Sequence, residues 1–119
     1  MLKLWGPVVV WAAVIFGASS LSFGGGGAGI PDWLSHGSVY AILSVLLCRA
    51  LAGGFALPLT LGGSLLAILI GTAYGVSDEW HQSFVPHRES SPADVGKDFA
   101  GATFGTLAYR LAAARRQAA

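Results

Sequence analysis

Acidic, imidazole and amide side chains recur at helical spacing along this sequence. Asp32, His36 and Tyr40 are separated by steps of four residues, and Asp78 and Gln82 by the same step. Residues at this spacing lie on one face of an α-helix. The spacing therefore predicts two helix faces that each carry groups able to donate, accept or transfer protons.

A third face joins acidic residues to glycines. Asp94, Asp98, Gly101 and Gly105 follow steps of four, three and four, and the face of Asp78 carries a second G-x-x-x-G pair before it. In lipid, G-x-x-x-G pairs allow helix backbones to approach closely. We expect these helices to pack tightly at mid-membrane and to open into a polar pocket at one end.

The residue types in this pocket suit acid–base chemistry or anion binding. Glu79, His36 and Asp94 are candidate general acids or bases, because carboxylates and imidazole transfer protons. The guanidinium fork of Arg88 matches a phosphate or a carboxylate, and Gln82 could orient a substrate. The further candidates for substrate contacts on these faces are Asp32, Tyr40 and Asp98.

Structural explanations stand beside these chemical ones. Asp78 could lie exposed among headgroups, His36 could be a hydrogen-bonded packing residue, and Asp94 could favour a helix start through the helix dipole. Glu79 and His81 are metal-ligand types, but two residues apart on a helix they point to different sides. No metal or other cofactor is expected.

Composition places these faces in a membrane protein. The chain of 119 residues is 54% hydrophobic and 11% charged, whereas soluble domains carry about 25% charged residues. It is too short for two domains, so 1–119 is expected to be one all-α domain, a bundle of four transmembrane helices. The predicted helices span 4–22, 33–51, 56–82 and 92–115.

The first predicted helix has an alternative interpretation as a signal peptide, and it contains two tryptophans. Its basic start and small residues near its end would also suit a cleaved signal peptide. Trp5 and Trp11 in this helix are expected to face lipid.

The net charge is +1, and no basic cluster with interleaved aromatic residues occurs, so no nucleic-acid partner is expected.

Basic residues set the predicted orientation, because short cytoplasmic loops carry an excess of Lys and Arg. With both termini cytoplasmic, the basic residues inside would be Lys3, Arg49, Arg110, Arg115 and Arg116. Only Arg88 and Lys97 would lie outside. We therefore predict an N-in, C-in topology with the polar pocket at the extracytoplasmic end.

The stretch from Tyr74 to Gly105, YGVSDEWHQSFVPHRESSPADVGKDFAGATFG, resembles the VanZ-like family of small bacterial membrane proteins. Its matches to the family pattern are Glu79, Gln82, Phe84, Pro86, Arg88, Ser91, Asp94, Gly101 and Gly105. An earlier D-K-x-x-H-F-x-x-Y motif is matched by Asp32, His36 and Tyr40. The departures from the pattern are Trp33 for lysine, Gly37 for phenylalanine, His87 for glycine and Asp98 for asparagine.

The resemblance implies a multi-pass protein of the bacterial cytoplasmic membrane, with Ser91 among the site residues. The family's founding member is linked to resistance to the glycopeptide teicoplanin, a phenotype that does not transfer to this chain by default. Two main functions compete. One is a non-catalytic protein that binds an anionic lipid or a lipid-linked envelope precursor, and the other is an intramembrane enzyme acting on such a lipid phosphate. A transporter is a third alternative, but four short helices would need to form an oligomer to build a transport pathway. The sequence is compatible with a homo-oligomer.

Overall fold

The computed structural model describes residues 1–20, 32–55, 57–86 and 91–118, with the side chains of residues 32 and 33 also outside the description. These residues form four α-helices: α1 (Leu2–Ser19), α2 (Asp32–Ala52), α3 (Leu61–Gln82) and α4 (Pro92–Ala118). The prediction of an all-α chain with four helices is confirmed. Their predicted limits hold at the start of α4 and at the end of α3, and shift elsewhere.

Local signals explain the shifted limits. The third helix was expected from residue 56 but begins at Leu61. Pro58 disfavours helix in the residue before it. Thr60 supplies the N-cap, because its Oγ1 accepts from the Gly63 amide at 2.9 Å. α2 ends where Gly53 adopts a φ of 91°, which glycine tolerates at a helix C-terminus. α1 ends before 22, with Ser20 as its C-cap.

The helices alternate in direction along the chain. The Arg49 guanidinium of α2 donates to the Leu4 carbonyl near the start of α1, so these two helices are antiparallel. α3 runs antiparallel to α2 and α4, whereas α2 and α4 are parallel and share the most extensive contacts. α1 packs on the side of α2 and α3, and the bundle measures 49 × 28 × 23 Å.

Small residues bring α2 and α4 together. A Cβ added to Gly101 would lie 2.9 Å from the Cα of Gly37, and one added to Gly105 would collide with Ala41 and Ser44. The two helix backbones therefore touch at these positions, as G-x-x-x-G pairs allow. The predicted glycine face of α4 is buried.

Tryptophan packing differs from the expectation for α1. Trp11 does not simply face lipid, because its Nε1 donates to the Val39 carbonyl of α2 at 3.0 Å and its ring packs against the core. Trp5 also packs against the core. A buried indole N–H requires an acceptor, and the α2 backbone provides one.

Three of the described helices, α1, α2 from Leu34, and α3, are long and apolar enough to cross a membrane by length and composition. Their outward faces carry exposed large apolar side chains, such as Val10 on α1 and Leu69 on α3, each 64% exposed. Surfaces of this kind suit a hydrocarbon solvent and not water. The membrane-protein class is supported on this ground, while a span at α4 stays a prediction.

Candidate functional site

Polar side chains from all four helices gather at one end of the bundle. This end combines the C-termini of α1 and α3 with the N-termini of α2 and α4, as the alternating directions require. The described members, here called the polar cluster, are Ser19, His36, Tyr40, Asp78, Glu79, Gln82, Ser91, Asp94, Lys97 and Asp98. The faces predicted from spacing in α2, α3 and α4 do meet here.

Asp78 is the centre of a hydrogen-bond network between α1, α2 and α3. Its Oδ2 accepts from the Tyr40 hydroxyl at 3.2 Å and from the Gln82 side-chain amide at 3.1 Å. The same Gln82 amide also donates to the Ser19 hydroxyl oxygen at 3.3 Å. One oxygen of Asp78 therefore links α3 directly to α2 through Tyr40, and indirectly to α1 through Gln82 and Ser19.

The other oxygen of Asp78 is buried without a hydrogen-bond partner among the described residues. Asp78 is only 6% exposed, so the explanation that it lies in open headgroups is wrong. An unpaired buried acceptor costs about 1–3 kcal/mol, and more when it is charged. Asp78 was not among the predicted site residues, although its helical step to Gln82 was the signal that could have found it.

His36 and Asp98 form a second contact, between α2 and α4. The His36 Nδ1 lies 2.9 Å from the Asp98 Oδ1, and Asp98 is 1% exposed. Asp98 also packs against Gly75, where an added Cβ would lie 2.8 Å from its Oδ2. The replacement of the family's asparagine by Asp98 thus places a carboxyl group in the buried core of the cluster.

Glu79 and Asp94 act at the N-terminus of α4. The Glu79 Oε1 accepts from the Ser91 amide at 2.7 Å, and Asp94 pairs with the Lys97 ammonium at 3.0 Å. Negative charge is favourable at a helix N-terminus, where the amides lack intrahelical partners. Both carboxylates therefore stabilise the start of α4, and Glu79 also ties α3 to it.

Two predicted site residues cannot be placed. Arg88, the predicted anion clamp, lies outside the described residues, and so does the Asp32 side chain. His81 is separate from the polar cluster, since its Nε2 lies 2.9 Å from the Ser20 Oγ and its ring stacks on Phe16. Within the described ranges, no three His, Cys, Asp or Glu residues are placed to hold a metal ion.

A comparison with protein families connects this geometry to known sequences. The sequence model of the VanZ/LLP1 family matches residues 5–113. The chain belongs to the VanZ/LLP1 family. The match covers α1, α2 and α3 almost completely and most of α4, so the VanZ/LLP1 assignment includes every described member of the polar cluster. Neither the curated proteins nor the solved structures gave a significant match.

Proposed function

We propose that this VanZ/LLP1 protein is a four-span membrane protein that binds an anionic lipid, or a lipid-linked envelope precursor, in a pocket at the polar cluster. The proposal places both termini in the cytoplasm and the cluster at the outer face of the cytoplasmic membrane. It includes α4 as a span. The 27 residues of α4 give about 40 Å of helix, and its charges lie towards the two ends.

The buried, unpartnered oxygen of Asp78 is the observation that carries this proposal. A carboxylate oxygen accepts hydrogen bonds and cannot donate them, so its missing partner is a donor. Hydroxyl groups of a glycerol or sugar headgroup supply such donors. A bound headgroup would offset the cost of burying this oxygen, for which the described residues provide no donor.

Positive charge at the same end fits the phosphate of such a lipid. Lys97 belongs to the polar cluster, and its side chain is 30% exposed while one of its N–H groups bonds Asp94. An ammonium has three donors, so it can contact more than one acceptor at a time. The proposal keeps Arg88, the predicted anion clamp, as a second cation for the phosphate.

The described contacts support binding over catalysis. Glu79 ties α3 to the Ser91 amide at the start of α4, His36 ties α2 to Asp98 of α4, and Asp94 pairs with Lys97 within the first turns of α4. An enzyme would use these groups to move protons. The binding proposal therefore assigns them to positioning, and assigns ligand contacts to Asp78 and Lys97.

Lipid analysis of the purified protein tests the proposal. Native mass spectra and lipid extracts would be compared for wild type, Lys97→Gln, Asp78→Asn and Arg115→Gln, the last being a charge control at the opposite end. A basic residue near anionic lipid contributes about 1 kcal/mol, so Lys97→Gln should retain about fivefold less anionic lipid. Asp78→Asn should also retain less, and Arg115→Gln should match the wild type.

Two outcomes would overturn the binding proposal. Equal lipid retention by all four proteins would show that only general annular lipid is present. A lipid that accumulates on a fifth protein, Glu79→Gln, but is absent from the wild type would indicate a trapped substrate, and thus an enzyme.

A further inference from the structure

A lateral groove runs between α2 and α4 beside the polar cluster. Its volume is about 450 Å³. Its lining residues are Leu34, Gly37, Ser38, Ala41, Lys97, Ala100, Gly101 and Phe104. Apart from Lys97 and Ser38 this lining is apolar, and Lys97 is also a member of the polar cluster. The groove therefore joins a charged end to an apolar trough.

Gly37 keeps this groove open. A Cβ added at Gly37 would meet no atom within 4 Å, so its missing side chain leaves empty space. The opposite holds for Gly101, whose added Cβ would collide with the Gly37 backbone. The two glycines thus have different roles: Gly101 permits the helix contact, and Gly37 leaves the trough above that contact unfilled.

The groove has a charged end and an apolar end, as a lipid has a polar headgroup and an apolar chain. Lys97 lies towards the polar end, and Phe104 lies seven residues further along α4, about 10 Å at 1.5 Å per residue. Leu34 and Phe104 are 43% and 70% exposed, so the wall of the groove continues onto the apolar outer surface. A chain lying here would run along the bundle axis with its charged group beside Lys97.

We propose that this groove holds one hydrocarbon chain of the anionic lipid whose headgroup occupies the polar cluster. The inference rests on the proposed function and adds the entry route, which is sideways from the membrane between α2 and α4. Charge complementarity selects the occupant, because an apolar trough ending at an ammonium fits an acyl chain attached to a phosphate. A zwitterionic lipid carries the same phosphate but adds a cationic group that the Lys97 ammonium repels, so Lys97 favours an anionic lipid over a zwitterionic one.

Photo-crosslinking locates the chain directly. The probe is phosphatidylglycerol with a diazirine on its acyl chain, added to the purified full-length protein in phosphatidylcholine nanodiscs, with crosslinked peptides identified by mass spectrometry. The expected crosslinks fall on 34–41 and 97–104 in excess of the other apolar faces. The same probe built on phosphatidylcholine should lose this excess.

Substitutions that fill the groove test the role of Gly37. Gly37→Phe should abolish the excess crosslinks, and Ala100→Phe is a second filling variant from the α4 side. Gly17→Phe is the matched control, because Gly17 is exposed on α1 and its added Cβ also meets no atom within 4 Å. The control should crosslink like the wild type.

The outcomes separate this inference from the proposed function. Crosslinks spread evenly over all apolar helix faces, or unchanged in both filling variants, would overturn the groove as a chain site. If these variants still retain phosphatidylglycerol while Lys97→Gln does not, the headgroup proposal survives without the groove. If the wild type binds phosphatidylglycerol no better than phosphatidylcholine, both the groove inference and the headgroup proposal are wrong.

Discussion

Replacing Gly101 with alanine is expected to push α4 away from α2. The new methyl group would lie 2.9 Å from the Gly37 Cα and 3.0 Å from the Gly37 carbonyl carbon, and it would collide with the carbonyl oxygen. These are backbone atoms, which cannot move aside by a change of rotamer. The whole helix pair must separate, and the contacts along the most extensive interface of the bundle must loosen.

The magnitude follows from comparison with a second glycine on the same helix. Overpacking a well-packed contact costs about 1–3 kcal/mol, and a clash with backbone places Gly101→Ala near the upper value. Alanine also favours helix over glycine by about 1 kcal/mol. Gly96→Ala gains the same propensity without a clash, since its added Cβ meets no atom within 4 Å. The free energies of unfolding of the two variants should therefore differ by about 3 kcal/mol.

Denaturant unfolding in detergent micelles, followed by tryptophan fluorescence, measures this difference. Gly96→Ala should be as stable as the wild type or slightly more stable, and Gly101→Ala should be clearly less stable. Equal stability of the two variants would refute the backbone contact between α2 and α4. Gly71→Ala is an intermediate case, because its added Cβ would lie 3.3 Å from the Ala102 Cβ.

Three further substitutions test single contacts, each by the same unfolding measurement. His36→Ala removes the partner of the buried Asp98 carboxyl and should cost about 3 kcal/mol, whereas unchanged stability would mean that Asp98 needs no partner there. Tyr109→Phe removes the single hydroxyl proton that the Gly54 and Leu57 carbonyls of the α2–α3 connection share, and should cost about 1 kcal/mol. Proteolysis of that connection should also be faster, and an unaltered cleavage rate would contradict this role. Trp11→Phe removes the donor to the Val39 carbonyl and should cost about 1 kcal/mol, and a variant as stable as the wild type would show that this hydrogen bond does not stabilise the bundle.

Periodicity predicted the helices and the faces that meet, because both depend on local spacing. Gly101 and Gly105 were expected on a packing face, and the structure buries both. Helix limits were harder to predict from hydropathy. The segment before Leu61 is as apolar as the helix itself, and only Pro58 and the Thr60 cap determine the start.

Contacts between helices were not predictable from the spacing within each one. Trp11 was assigned to lipid because a single helix does not show which acceptor a neighbour presents, and the Val39 carbonyl lies on α2. The groove was missed for a similar reason. In the sequence, Gly37 stands out only as a departure from the family pattern, and the space it leaves is visible only once α4 is in place.

Asp78 and Glu79 are adjacent on α3, but their different positions give one a structural role and the other a proposed role in ligand binding. Glu79 lies closer to the N-terminus of α4, and its Oε1 accepts from the Ser91 amide, so its charge is used to start that helix. Asp78 instead accepts from Tyr40 of α2 and from Gln82 of its own helix, and it keeps one buried oxygen for which the described residues offer no donor. From the sequence, Glu79 is a candidate acid–base group, whereas Asp78 could lie exposed among headgroups. The binding proposal makes the reverse assignment, in which Glu79 positions α4 and Asp78 contacts the ligand.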